Sequence, residues 1–181
     1  MIANASPNRR KAILAALALI TITSTASNLG CKSKPAAETA KRQPVTMPPA
    51  VKKHLYSAEA DPKADIAAAL QQASLEHKRV ILDFGGDWCG DCQVLDIYLH
   101  QNPNADIFEK NFLLVHVDIG HFDKNLDIPE KYNIPLKKGV PALAVLDSDG
   151  KLLYSQQDAE FGDMRYMYSN SVTDFLNKWK A

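Results

Sequence analysis

The chain has little of several things, and each scarcity narrows what it can do. It has three cysteines, no second Cys-Xaa-Xaa-Cys and no His-Xaa-Xaa-Xaa-His, so the repeated ligand pairs of a finger-type zinc site are absent. Its longest unbroken apolar run, Ala12 to Ile20, is nine residues. As a helix that run rises about 13 Å, well short of the roughly 30 Å hydrocarbon core of a bilayer. Net charge is also missing, with 21 Lys/Arg against 21 Asp/Glu in 181 residues. That balance conceals an asymmetry. Residues 1–53 hold nine basic residues and one acid, Glu38, which leaves 12 basic against 20 acidic residues in 54–181. An acidic domain behind a basic leader excludes nucleic acid as the expected partner, because phosphate binding needs a cationic surface.

The leader has a recognisable order. Arg9, Arg10 and Lys11 precede the apolar run, and "TSTASNLGC" follows it. Positive charge, a short apolar core and then small residues form the pattern of an export signal. "NLGC" resembles the lipobox of bacterial lipoproteins, with Gly30 before a lipidated Cys31, although Asn28 and Leu29 depart from that pattern. The alternative is ordinary cleavage after Ala26, which leaves Cys31 as an unpaired thiol. Residues 32–53 carry four prolines, small residues and lysines without an apolar period. They read as a tether reaching on the order of 25 Å. The expected organisation is a signal peptide over 1–30, a basic Pro-rich tether over 31–54 and one domain over 55–181.

Within the domain the hydrophobic period changes repeatedly. "DPKADIAAALQQASLEHK" places Ile66, Leu70 and Ala73 on one helical face, with Asp61-Pro62 as its opening. "RVILDF" and "FLLVHVDI" read as buried strands, and "CQVLDIYLH" as a helix. Asn102-Pro103 reads as a cap with proline at the first helical position. "IPEKYNI" is a short helix, and "ALAVLD-SDG-KLLYS" a hairpin. "SVTDFLNKWK" is a last helix with an imperfect capping box at Ser171 and Asp174. The extra stretch 157–171 carries Phe161, Tyr166, Met167 and Tyr168, read chiefly as core packing. A sheet with helices on both faces, an α/β sandwich, follows from this order.

The chemistry centres on "DFGGDWCGDC", residues 83–92. A metal site here lacks two further ligands, although copper held by both thiolates and one histidine stays open. A bridge closing so short a loop restrains the unfolded chain little. Redox exchange needs what the stretch supplies. Cys89 stands at the mouth of a helix, where free N–H groups and the helix dipole favour thiolate. Cys92, one turn on, is placed to attack a mixed disulfide formed on Cys89.

"LDFGGDWCGDC" resembles the thioredoxin family, with Trp88 immediately before the first cysteine. "KKGVPALAVLD" resembles the family's segment around a cis-proline, here Pro141. The likeness runs over about residues 62–181 and is most similar to reductase domains of the periplasmic disulfide-interchange type. It implies a three-layer α/β/α sandwich with a central mixed β-sheet. It further implies that the buried acid Asp83 helps move the Cys92 proton, and that Pro141 shapes a groove where substrate pairs with the Val140 backbone beside Trp88. Asp91 stands where thioredoxin itself carries proline, and by charge alone it disfavours the Cys89 thiolate. Ala142 replaces a common threonine.

The expected protein is thus an exported thiol:disulfide oxidoreductase of the bacterial periplasm. It works through Cys89 and Cys92, more as reductase than oxidase, without organic cofactor or bound metal. Its expected partners are protein thiols or disulfides and an upstream dithiol donor, and it is expected to be a monomer anchored by lipid at Cys31. The rival is a copper or other metal chaperone using the same cysteines. Fatty-acid labelling is expected to mark the full-length protein, and Cys31→Ala to release it from the membrane fraction. Unlabelled soluble protein beginning at Ser27 would establish cleavage after Ala26.

Overall fold

A computed structural model describes residues 53–181; the signal, the lipidation site and nearly all of the tether lie outside the described residues. Helix α1 (Pro62–Glu76) opens as its sequence suggests. The Asp61 carboxylate accepts from the N–H groups of Lys63 and Ala64, and Pro62 takes the first turn, where its missing N–H costs nothing. Strand β1 (Arg79–Gly85) follows, buried from Val80 onward. Helices α2 (Gly90–Leu99) and α3 (Asn104–Asn111) lead into strand β2 (Phe112–Asp118). A short α4 (Asp127–Lys131), strands β3 (Ala142–Leu146) and β4 (Leu152–Ser155) and helix α5 (Asn170–Trp179) complete the order.

The sheet runs β2-β1-β3-β4. The β1–β2 pair is parallel, and the β1–β3 and β3–β4 pairs are antiparallel, so the sheet is mixed. Side-chain alternation divides the core in two. Val80, Leu82 and Phe84 of β1 join Ile66 and Ala73 of α1 and Ile128 of α4 on one face. Ile81 joins Val94, Leu95, Leu99, Phe108 and Leu176 of α2, α3 and α5 on the other. The three-layer α/β/α sandwich expected from the sequence is what forms. No helix among the described residues is long and apolar enough to cross a membrane.

Two helix starts differ from expectation. The Asn102–Pro103 bond is cis and Pro103 is the cap residue itself, so α3 begins at Asn104. Asn104 is fully buried, where its amide donates to the carbonyls of Tyr98 (2.8 Å) and Ser169 (3.1 Å) and accepts from Thr173 Oγ1. It ties the end of α2 to the start of α5, a use that its own segment does not reveal. Helix α5 starts one residue before Ser171, with no side-chain cap; the Ser171 hydroxyl donates backwards to the Tyr168 carbonyl at 2.7 Å. The extra stretch divides as well. Phe161 and Met164 enter the core, whereas Tyr166 and Tyr168 are exposed.

Replacing Asn104 by Ala strands the buried Tyr98 carbonyl, whereas the Ser169 carbonyl keeps the N–H groups of Val172 and Thr173 and the Thr173 hydroxyl keeps its bond to that carbonyl. A loss of about 1–3 kcal/mol per unsatisfied group is expected, read as a lower urea midpoint with an unchanged m-value. An unchanged midpoint would show that water replaces the amide.

Candidate active site

Strand β1 ends at Gly85, and the chain turns through Gly86–Trp88 with the Cys89 N–H donating to the Gly86 carbonyl at 2.9 Å. Cys89 is then the cap residue of α2, in extended backbone. It forms a disulfide with Cys92, their Cα atoms 5.3 Å apart. The Cys92 N–H donates to Cys89 Sγ at 3.1 Å, so a free amide of the helix's first turn is aimed at the sulfur that would carry charge on reduction. Cys89 retains 5% exposure and Cys92 none. That asymmetry fits an attacking and a resolving sulfur.

The loop opposite is fixed from behind. Val140–Pro141 is cis, as the resemblance implied, and the Val140 carbonyl lies 3.7 Å from Cys89 Sγ. Gln156, buried on the far side, donates to the Pro141 carbonyl at 3.2 Å and accepts from Leu143 N–H at 3.1 Å. Trp88 is 41% exposed. Its indole N–H donates to the Gly120 carbonyl at 2.7 Å, and its ring stacks on His121 with centroids 5.4 Å apart. The Phe122 ring is tilted against it, with centroids 5.7 Å apart.

Asp83 lies beneath, on the same sheet face as α2, because it shares the parity of Ile81. It is 1% exposed. Its Oδ2 accepts from the Tyr56 hydroxyl at 2.6 Å and pairs with His116 Nδ1 at 2.9 Å. Oδ1 is buried with no partner. His116 sits directly opposite Asp83 in the parallel β1–β2 register. Burial alone would lower its pKa, but the Asp83 bond and charge, with the charges of Asp96 and Asp87, overcome this and hold it above the ordinary histidine value. Burial and Asp83 push the Tyr56 phenol well above its ordinary value, so it stays a donor.

Sequence reading missed Tyr56. It arrives on the segment before α1, which Asp87 grips through the N–H groups of Leu55 (2.8 Å) and Tyr56 (3.0 Å). The same segment exchanges two hydrogen bonds between the Lys53 backbone and the Gln93 amide, and Lys53 Nζ reaches Asp96 at 3.1 Å. Tyr56 packs against Cys89 and Cys92 with Leu55 and Val140 around it. His116 and His121, five residues apart, are engaged by different partners, Asp83 and Trp88. Among the described residues, no group of three or more His, Cys, Asp or Glu could hold a metal ion.

Asp91 requires a correction. Its carboxylate was expected to disfavour the Cys89 thiolate, but it is buried and already paired. Arg165 donates to it from Nε (3.2 Å to each oxygen), from a terminal guanidinium nitrogen (3.0 Å) and from its backbone N–H (2.9 Å). The guanidinium also lies over Gly90, between the cysteines: a Cβ there would stand 3.6 Å from Arg165 Nε. The charge added to the motif is returned by the stretch 157–169.

A mixed four-stranded sheet between helical layers, with an oxidised Cys-Xaa-Xaa-Cys capping α2 opposite a cis-proline, defines a thioredoxin-fold redox domain. Comparison with known proteins agrees. A sequence model of the family described as thioredoxin-like matches residues 61–148. A disulphide isomerase from Xylella fastidiosa Temecula1 is 35% identical and superposes with a TM-score of 0.66 over 70% of this chain and 96% of that one. Thioredoxin-3 of Dictyostelium discoideum is 31% identical over 67 residues, 34% of this chain and 56% of that protein, so the chain matches little more than half of that relative's length. The oxidised C-terminal domain of DsbD from Neisseria meningitidis is 23% identical with a TM-score of 0.43, covering 66% of this chain and 97% of that one. The chain carries a thioredoxin-like domain.

Arg165→Ala leaves the Asp91 charge beside Cys89 without its partner. Alkylation of reduced Cys89 near neutral pH is then expected to slow, by up to about tenfold for one pKa unit. The redox potential is expected to fall by up to about 30 mV, because a disfavoured thiolate destabilises the dithiol. Arg165→Lys should recover part of both. If Arg165→Ala leaves rate and potential at wild-type values, the pair does not tune the cysteine.

Proposed function

We propose that the protein is an exported thiol:disulfide oxidoreductase that reduces protein disulfides from the periplasmic side of a bacterial membrane, held there through Cys31. The observation that carries the reading is the Cys89–Cys92 disulfide at the start of α2, with Cys89 capped by the Cys92 N–H and Cys92 fully buried. The reduced Cys89 thiolate attacks a substrate disulfide and forms a mixed disulfide. Cys92, with Asp83 taking its proton, displaces the substrate thiolate and closes the Cys89–Cys92 bond. Two electrons pass to the substrate, and an upstream dithiol restores the reduced pair.

The front of the site suits an extended protein segment. The Val140 carbonyl beside Cys89 offers a backbone acceptor, Pro141 holds that loop, and the exposed Trp88 ring offers apolar surface next to the sulfur. From Phe122, beside Trp88, an apolar cleft of about 560 Å³ continues along Leu126, Pro129 and Ile134. The Xylella relative is named a disulphide isomerase. Reduction and isomerisation begin with the same attack by Cys89, and they part at whether Cys92 resolves the intermediate.

With a dithiol donor, the protein is expected to reduce insulin disulfides over many turnovers, and Cys89→Ser to abolish this. Cys92→Ser is expected to accumulate mixed disulfides visible on non-reducing gels. Multiple turnover by Cys92→Ser would show that Cys92 is not the resolving thiol. A potential near the roughly −270 mV of thioredoxin is expected, and one near about −180 mV would move the assignment to an isomerase.

A further inference from the structure

The proton on Cys92 has to leave while a substrate covers the front of the site. Cys92 is fully buried, and in the mixed disulfide its neighbour Cys89 is bonded to the substrate. Behind it, a hydrogen-bonded line of polar groups begins beside the sulfur at Tyr56 and leads away from that front. The Tyr56 hydroxyl and Cys92 Sγ face each other across Gly85: a Cβ on that glycine would lie 2.6 Å from the hydroxyl and 2.7 Å from the sulfur. The hydroxyl is bonded to Asp83 Oδ2, and Oδ2 to His116 Nδ1. The His116 side chain is 20% exposed, against 2% for Asp83. It lines two surface clefts, of about 420 and 620 Å³, which also touch Leu55 and lie along β2.

We propose that Tyr56, Asp83 and His116 form a rear proton path, in which Tyr56 relays the Cys92 thiol proton to Asp83 and His116 is its outlet to solvent. This rests on the oxidoreductase reading above. As Cys92 resolves the mixed disulfide, its S–H proton passes to Tyr56 Oη while the phenolic proton passes to Asp83 Oδ2. The Cys92 thiolate attacks Cys89 Sγ, the Cys89–substrate bond breaks, and the substrate leaves as a thiolate. Once protonated, Asp83 no longer holds the charge of His116, whose Nδ1–H stays on Oδ2 while its Nε2 proton leaves to solvent; the departing thiolate takes one from solvent, so protons balance. Cys89 and Cys92 are oxidised by two electrons and the substrate disulfide is reduced by two.

Tyr56 is held for this task from outside the core. Asp87 binds the backbone N–H groups of Leu55 and Tyr56 and pairs with His54 at 3.0 Å, which sets the phenol over the cysteines. The competing route is transfer from Cys92 directly to the unpartnered Asp83 Oδ1. The two routes predict opposite signs. Removing the Tyr56 hydroxyl takes a donor from the Asp83 carboxylate and makes it a stronger base. Direct transfer would then hold or speed up, whereas a relay slows.

The test is single-turnover resolution of a mixed disulfide preformed on Cys89 of the full-length protein with a chromogenic thiol, followed by thiol release. Tyr56→Phe is expected to slow release at least tenfold while alkylation of reduced Cys89 keeps the wild-type rate. Asp87→Ala, which loosens the segment without touching the core, is expected to slow release in the same way if Tyr56→Phe should prove unfolded. His116→Ala is expected to slow release, and added imidazole, which can enter the open clefts, to restore it. Release as fast as wild type or faster in Tyr56→Phe, or in Asp87→Ala, overturns the relay. Loss in His116→Ala that imidazole fails to restore overturns the outlet. If the wild type itself releases no thiol, the oxidoreductase reading falls and the path with it.

Discussion

A carboxylate buried beneath the disulfide is the constraint around which the site is arranged. Moving an ionised Asp83 out of water costs several kcal/mol unless the protein replaces the lost solvation. Two donors do so, each from a different part of the chain: the Tyr56 hydroxyl from the segment before α1, and His116 from β2. Each donor in turn needs support. His116 depends on the β1–β2 register, which sets it opposite Asp83. Tyr56 depends on Asp87, whose own pKa is lowered because the bonds from Tyr56, His54 and Leu55 outweigh its partial burial. The turn that carries Cys89 therefore also anchors the segment that solvates Asp83.

A second charge is handled differently. Asp91 lies between the cysteines, and an unpaired carboxylate there would oppose the thiolate that the start of α2 favours. Arg165 answers it with four donated hydrogen bonds, and the bonds and charge of Asp91 raise the guanidinium's pKa further. The stretch 157–169 is fastened by Phe161 and Met164 in the core, which lets it hold Arg165 over Gly90. Aspartate in the motif and arginine in the inserted stretch are one feature of this chain. Neither reads correctly alone.

Much of the frame was legible in the sequence because it rests on local pattern. Alternation and run length located β1, β2 and the β3–β4 hairpin, and Asp61-Pro62 opened α1. The cysteine motif announced both itself and the helix it caps. What sequence could not show was partnership at long separation. Tyr56 is 27 residues from Asp83, and Arg165 is 74 from Asp91. No period or motif links such pairs. His116 is an intermediate case. Its parity in "FLLVHVD" puts it on the face opposite Val115 and Val117, and only the strand register then brings it to Asp83. Asn104 was hidden for another reason: a proline before it suggested a helix start, while its amide serves two other elements.

The arrangement has two sides. The proposed substrate contacts lie on the side of the disulfide where Trp88, Val140 and Pro141 surround Cys89. The polar line through Tyr56, Asp83 and His116 runs beneath and away from it, toward clefts along β2. Gly85 is the point where the two regions meet. It is buried at the end of β1, and any side chain there would overlap both the Tyr56 hydroxyl and Cys92 Sγ. A larger residue would have to displace the phenol or the sulfur, and either shift parts the cysteine from the buried acid. The bare glycine keeps the hydroxyl and the sulfur within reach of each other. Conformational freedom is not what it supplies, since its backbone is ordinary extended strand. What it supplies is the absence of a carbon atom, at the place where the Tyr56 hydroxyl and Cys92 Sγ approach at the sheet's edge.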